Sequence, residues 1–362
     1  MENLARLGGA DMERRQLVTS AAYSVAAAAL PLGAAEELTE RIGTARRRGV
    51  AGAAEIDAVR NMTSLFVTLD ERHGGQHGRS AVVQYLRSDV VDLCRARFAT
   101  EEKHHEALAV AACLAYLCGW KAYDAHEHGL AQHYYLQAYA LTREAADEVH
   151  GAWILRILAH NGMDVRRPEH TLDLAEAALA RVRGRLAPPA EALFAVTRAR
   201  ALAVAGRGPE AVRQLRAAQD LVLRGEPDEL PYWAALWGPP RGTLASHTAK
   251  TFHTLGDHAN AERHYALSSR YRPGSTHRRI AALSLISQGR EQSALGRLEA
   301  ACDTWGRSLD LLEGVRSARA VDAVAGIRRQ LGVFRHRGVQ TAADLDERAR
   351  NWLGTHRPPR HI

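Results

Sequence analysis

The decapeptide "GDHANAERHY", residues 256–265, carries the pattern on which the fold turns: a glycine, an alanine five residues later (Ala261) and a bulky residue four beyond that (Tyr265). Working outward, the Ala-x-x-x-bulky signal recurs as Ala131 to Tyr135, Thr171 to Ala175, Ala211 to Leu215, Ala261 to Tyr265 and Ala301 to Trp305. The steps between first residues are 40, 40, 50 and 40 residues. In three units a glycine (Gly206, Gly256, Gly296) stands five residues upstream, where a helix end takes a left-handed residue before the next helix begins. The ten extra residues of the third step coincide with the Pro-bounded aromatic insertion "ELPYWAALWGPP".

A fixed period of this length is the mark of stacked helical pairs, each burying its apolar face on its neighbours. Small residues at a helix crossing permit close approach, and a bulky side chain one turn on fills the gap beside it. The period exceeds the usual 34 residues of a tetratricopeptide unit, which predicts degenerate relatives with longer helices or loops.

Composition agrees. Apolar residues make up 46% of the 362-residue chain but aromatics only 6%, so alanine and leucine dominate and favour helix over sheet. Apolar positions recur at i, i+3, i+4 and i+7 from about Ala53 onward, giving about fourteen helices and no convincing strand. The fold expected is therefore an all-α solenoid of tetratricopeptide-like helix-turn-helix repeats. It divides into an N-terminal helix and linker at 1–52, a solenoid at 53–355 and a basic tail at 356–362.

The N-terminal "ERRQLVTSAAYSVAAAALPLGAA", residues 13–35, sets two arginines before an apolar run as an export signal does. Arg6, Arg14 and Arg15 are matched by Glu2, Asp11 and Glu13, however, so the positive leader that export requires is missing. The run reads as an interdomain-like helix, with residues 46–52 as a hinge, in a cytoplasmic protein. Cys94, Cys113, Cys118 and Cys302 lack CxxC spacing and each lies in an apolar stretch, which predicts buried thiols in a reducing compartment. The net charge of +7 arises from 48 basic and 41 acidic residues spread along the chain, a tilt too mild to name a nucleic-acid partner.

Aligning the units exposes columns. Eleven residues before each signal stand Trp120, His160, Arg200, Lys250 and Arg290; eight before stand Tyr123, Met163, Ala203, His253 and Ser293. One helical turn ahead of the first column come Tyr116, Arg156, Val196, Ser246 and Ile286. An aromatic floor giving way to a cationic line suits an extended ligand with apolar groups and a carboxylate or phosphate, which Arg binds through both oxygens. The candidate ligand residues are Tyr116, Trp120, Tyr123, Trp153, Arg156, His160, Arg200, Lys250, His253 and Arg290. The other reading makes them ordinary surface positions, neutralised by acids such as Asp124 and Asp164.

No catalytic residue, metal or cofactor is expected. G-x-S-x-G, P-loop and G-x-G-x-x-G signatures are missing, as are paired carboxylates. His104 and His105, and His126, His128 and His133, do not place two ligands at i, i+3 or i+4 within one clean helix. "LDERHGGQHGR", residues 69–79, could gather Asp70, Arg72, His73 and His77 into a small site, but reads better as a helix stop at Gly74 and Gly75.

The motifs "DMERRQLVTSAAYSVAAAALPL", "VRNMTSLFVTLDERHGGQH", "AYLCGWKAYDAHEHGLAQHYYLQAYAL" and "YWAALWGPP" resemble the C-terminal sensor region of actinobacterial Xre-type helix-turn-helix transcriptional regulators with tetratricopeptide-like repeats. The resemblance runs from about residue 10 to residue 355. It implies an interdomain role for the N-terminal run, and related peptide-pheromone sensors imply a short peptide in the concave groove. The family's N-terminal DNA-binding helices have no counterpart in this sequence, so direct DNA binding is not carried over. The resulting expectation is a regulatory sensor, possible as a homodimer, binding a peptide or small anionic metabolite. Two alternatives stand beside it: a protein–protein scaffold of a biosynthetic gene cluster, with Tyr232, Trp233 and Trp237 as an aromatic hot spot, or an unrecognised enzyme acting on a peptide or natural product.

Overall fold

The computed structural model describes residues 1, 4, 6–12, 50–225, 230–335 and 339–356. The apolar run at 13–35 and its linker to residue 49 lie outside the described residues, as does the tail from 357. The described chain is all-α. It forms two compact units, the first of Met1–Asp70 with Gly75–Leu158 and the second of Glu71–Gly74 with Ala159–Ile362.

In the first unit, α1 (Ala53–His73) is followed by α2 (Arg79–Tyr85), one π turn (Leu86–Val90) and α3 (Val91–Arg95). Then come α4 (Glu101–Asp124), α5 (His128–Glu144) and most of α6 (Glu148–Asp164). Two-residue strands β1 (Val50–Ala51) and β2 (Arg97–Phe98) pair in parallel, a feature too short for periodicity to register.

The second unit takes the end of α6 and continues through α7 (Thr171–Val182), α8 (Pro188–Val204), α9 (Gly208–Arg224), α10 (Tyr232–Ala235) and α11 (Pro240–Thr254). It closes with α12 (His258–Arg270), α13 (Arg278–Ala294), α14 (Leu298–Leu311), α15 (Ala318–Arg335) and α16 (Gln340–His356). Each pair packs internally (α8 on α9, α11 on α12, α13 on α14, α15 on α16), and α8 touches α11 as α12 touches α13. This is the nearest-neighbour stacking of a helical repeat. The ten-residue insertion supplies α10, whose Trp233 is buried.

The packing rule inside each pair can be read residue by residue. Twelve positions before the signal residue stand Gly119, Ala159, Ala199, Ala249 and Gly289, all small and buried. Facing them from the second helix are the residues four beyond each signal position, and in two pairs a tyrosine or tryptophan meets a glycine. A methyl group on Gly119 would lie 2.6 Å from Tyr135, and one on Gly289 would overlap the Trp305 indole. Ala249 and Tyr265 share a core cluster, as do Ala159 and Ala175. Trp305 is fully buried and its indole N–H donates to the Ile286 carbonyl at 3.0 Å.

The corners of five pairs are closed in one way. His126, Arg166, Gly206, Gly256 and Gly296 have φ of 63°, 58°, 77°, 75° and 77°. The following amide donates to the carbonyl five residues back at 2.8–2.9 Å, from Glu127 to Ala122, Arg167 to Gly162, Arg207 to Leu202, Asp257 to Phe252 and Arg297 to Gln292. That bond caps the first helix and reverses the chain. Glycine marks three of these corners, whereas His126 and Arg166 hold the same left-handed geometry against the Cβ–carbonyl crowding that glycine escapes. Among the described residues no helix is long and apolar enough to cross a membrane, and all four cysteines are buried free thiols.

Candidate functional site

Stacking in steps of 40 and then 50 residues brings His160, Arg200 and Lys250 of the cationic column together. Asp164, the last residue of α6, receives Lys250 Nζ from α11 at 2.9 and 3.0 Å on its two oxygens. Arg200 of α8 donates to its Oδ1, and His160, one turn earlier on α6, places Nε2 3.2 Å from its Oδ2. Arg200 also approaches His160 Nδ1 at 3.3 Å. The His247 ring of α11 stacks on His160, with centroids 4.8 Å apart.

This geometry selects a protonation state. Carrying its hydrogen on Nε2, a neutral His160 donates to Asp164 and accepts from Arg200, whereas an imidazolium would aim a second N–H at the guanidinium. Burial accordingly lowers the His160 pKa to about 3; Asp164 opposes this, and Lys250 and Arg200 reinforce it. Burial alone would raise the Asp164 carboxyl, yet Arg200, Lys250 and His160 outweigh it and hold the group well below its ordinary value. Burial pulls Lys250 down to about 8, opposed by Asp164 and assisted by the charges of Arg200 and Arg319. One carboxylate is thus shared by two cations. Of these, Arg200 is sealed at 7% side-chain exposure, while Lys250 keeps 25%.

The remaining members of the column behave differently. Arg290 on α13 turns to its neighbour Glu291, with Nε and a terminal nitrogen each 3.2 Å from Oε1. His253 Nδ1 lies 2.9 Å from Glu291 Oε1, and His258 Nδ1 2.7 Å from Oε2. Burial would raise the Glu291 carboxyl, but the hydrogen bonds from both histidines and the Arg290 charge bring it down to about 2. Sequence reading passes over Glu291 and His258, which lie off the aligned columns. Among the described residues, this trio is where histidine and carboxylate ligand atoms converge, within 4.8 Å of one another.

In the first unit the expected aromatic floor is packed into the interior. Tyr116 and Tyr123 are buried, and Trp120 lies between them with ring centroids 6.5 and 5.3 Å away. Tyr135 of α5 closes on Tyr116 at 5.6 Å, because Gly119 leaves it room. Trp153 and Arg156 are buried too, the guanidinium carbon sitting 4.5 Å over the indole, and burial pulls Arg156 down to about 10. Asp124 faces the Gly75 amide at 3.0 Å.

The stretch at 69–79 splits its polar residues. Asp70 pairs with Lys121 at 3.0 Å inside the first unit, while Glu71 pairs with Arg279 at 3.3 Å inside the second. α1 ends at His73, and Gly74 follows with φ of 90°. Trp233 of the expected hot spot is buried, with Tyr232 and Trp237 half-buried. Elsewhere in the second unit a cleft of about 270 Å³ opens between α9, α11 and α12, with Leu223 at 77% exposure and Tyr271 on its edge.

No known family model matches the chain, and no curated protein matches it. Solved structures similar to it include the Rap protein in complex with competence and sporulation factor. That likeness has a TM-score of 0.44 at 12% identity, over 83% of this chain and 98% of that one, and by itself assigns this chain neither a ligand nor a residue.

Proposed function

We propose that the second unit is a regulatory sensing module that takes the carboxylate or phosphate of a peptide or small metabolite at Lys250, backed by Arg200 and His160. The carrying observation is the sharing of Asp164 between two cations, with Arg319 adding a further positive charge to the field at Lys250. An arriving anion would complete that charge balance, and the low local dielectric strengthens the attraction. The groups come from three successive first helices, α6, α8 and α11, so an occupied site would favour one spacing of those helices over others. The motif resemblance to Xre-type regulators adds the reading that this change is passed to transcription.

Calorimetry with inorganic phosphate and with short peptides carrying free or amidated C-termini tests the reading. The expected result is binding of the free-acid forms, weakened more than tenfold by amidation and by Lys250→Gln. Equal affinity for acid and amide, or an unchanged Lys250→Gln variant, overturns it. The scaffold reading draws support from Leu223 and Tyr271, which stand exposed beside the cleft. Under that reading Leu223→Glu abolishes recovery of a stoichiometric protein partner and leaves anion binding intact.

A further inference from the structure

We propose that His253, His258 and Glu291 form a binding site for a borderline divalent transition-metal ion of the Zn²⁺ class. This inference is independent of the anion site at Lys250. Two neutral imidazoles and one carboxylate are a donor set that such ions take, with a fourth position left for water.

Three observations carry it. The two imidazoles reach the carboxylate from different elements, His253 from the last turn of α11 and His258 from the first residue of α12, and both present Nδ1. The nitrogen–oxygen separations of 2.7–3.2 Å are those of hydrogen bonds, and the ligand atoms of all three residues lie within 4.8 Å of one another. Ligands held about 2.0–2.2 Å from a tetrahedral ion lie roughly 3.3–3.6 Å apart, so small side-chain rotations convert hydrogen bonds into metal bonds. Access is asymmetric in the useful sense: Glu291 is fully sealed and fixed by α13, while His253 and His258 keep 40% and 39% exposure, which leaves a solvent path.

The trio also spans a repeat boundary. α11 and α12 form one pair and α13 opens the next, so a bound ion would bolt the two pairs together. Arg290 is the opposing element: its guanidinium lies 3.2 Å from Glu291 Oε1 and repels a second cation. An ion must displace it, which its 41% exposure permits.

The test is calorimetric titration of the full chain, stripped with EDTA, with Zn²⁺, followed by Co²⁺ absorption. One equivalent is expected to bind, with Co²⁺ giving the visible bands of a four- or five-coordinate site. Glu291→Gln and His258→Ala are expected to lower that affinity more than tenfold, and Arg290→Gln to raise it. The melting curves of the variants in EDTA establish that each is folded. Absence of stoichiometric binding overturns the proposal. Binding that persists unchanged in both ligand variants also overturns it, since other exposed histidines would then be holding the ion.

Discussion

Replacing Asp164 by asparagine keeps the side chain's shape and removes the one negative charge that Arg200 and Lys250 share. Arg200 has 7% side-chain exposure and His160 11%, so neither is well hydrated in place. Lys250, at 25%, has more freedom to swing outward. Breaking a buried ion pair by deleting one partner costs about 3–5 kcal/mol, because an uncompensated charge stays behind. With one of the two cations able to rehydrate, the lower end applies, about 3 kcal/mol. For a unit of roughly 200 residues each kcal/mol moves the melting temperature by about 2–4 °C, so the expected fall is about 6–12 °C. Differential scanning calorimetry at pH 7 reads it directly. Adding Lys250→Met to the asparagine variant removes a stranded cation and is expected to recover part of the loss. A fall of under about 2 °C, or a double variant less stable than the single one, refutes the account of Asp164 as the charge that holds this row together.

Two further outcomes follow from geometry elsewhere. Arg166 is exposed and left-handed, with φ of 58°, so Arg166→Gly relieves backbone crowding and is expected to stabilise the second unit by about 1 kcal/mol in urea denaturation; a destabilised variant would contradict the shared corner. His150 in the first unit is buried, and burial alone takes its pKa down to about 3. An unfolded chain binds a proton there below about pH 6.5, so stability falls with acidity by about 1.4 kcal/mol per pH unit until the folded pKa is reached. Between pH 7 and 5 this group removes about 2 kcal/mol. His150→Gln should shrink the acid loss by that amount, and an equal loss in both proteins counts against the assignment.

Much of the fold is legible in the sequence because it depends on a spacing. Gly206, Gly256 and Gly296 announce their corners, and the Ala-x-x-x-bulky signal places the crossings of five helix pairs. The corners at His126 and Arg166 are silent, since neither residue type demands a left-handed backbone and the geometry is imposed by the helices on either side. Two- and four-residue elements such as β1, β2 and α10 leave no period to detect. At the candidate site, columns taken at fixed offsets find His160, Arg200 and Lys250, whose helices stack directly. They pass over Glu291 because it sits between two sampled offsets, and over His258 because it belongs to a second helix. The aromatic residues mislead for a physical reason: Gly119 lets Tyr135 come close enough to cover Tyr116, and a row expected to line a groove becomes core.

The opposition of Gly119 to Tyr135 and of Gly289 to Trp305 sets a volume constraint on those two helix pairs. Bulk can be exchanged between the two helices so long as the combined occupancy of the crossing is kept. A library that randomises Gly289 and Trp305 jointly would therefore yield functional chains along a diagonal of compensating sizes, while either position varied alone would tolerate almost nothing. Spare room of that kind is how a repeat array can drift far in sequence and keep its pitch.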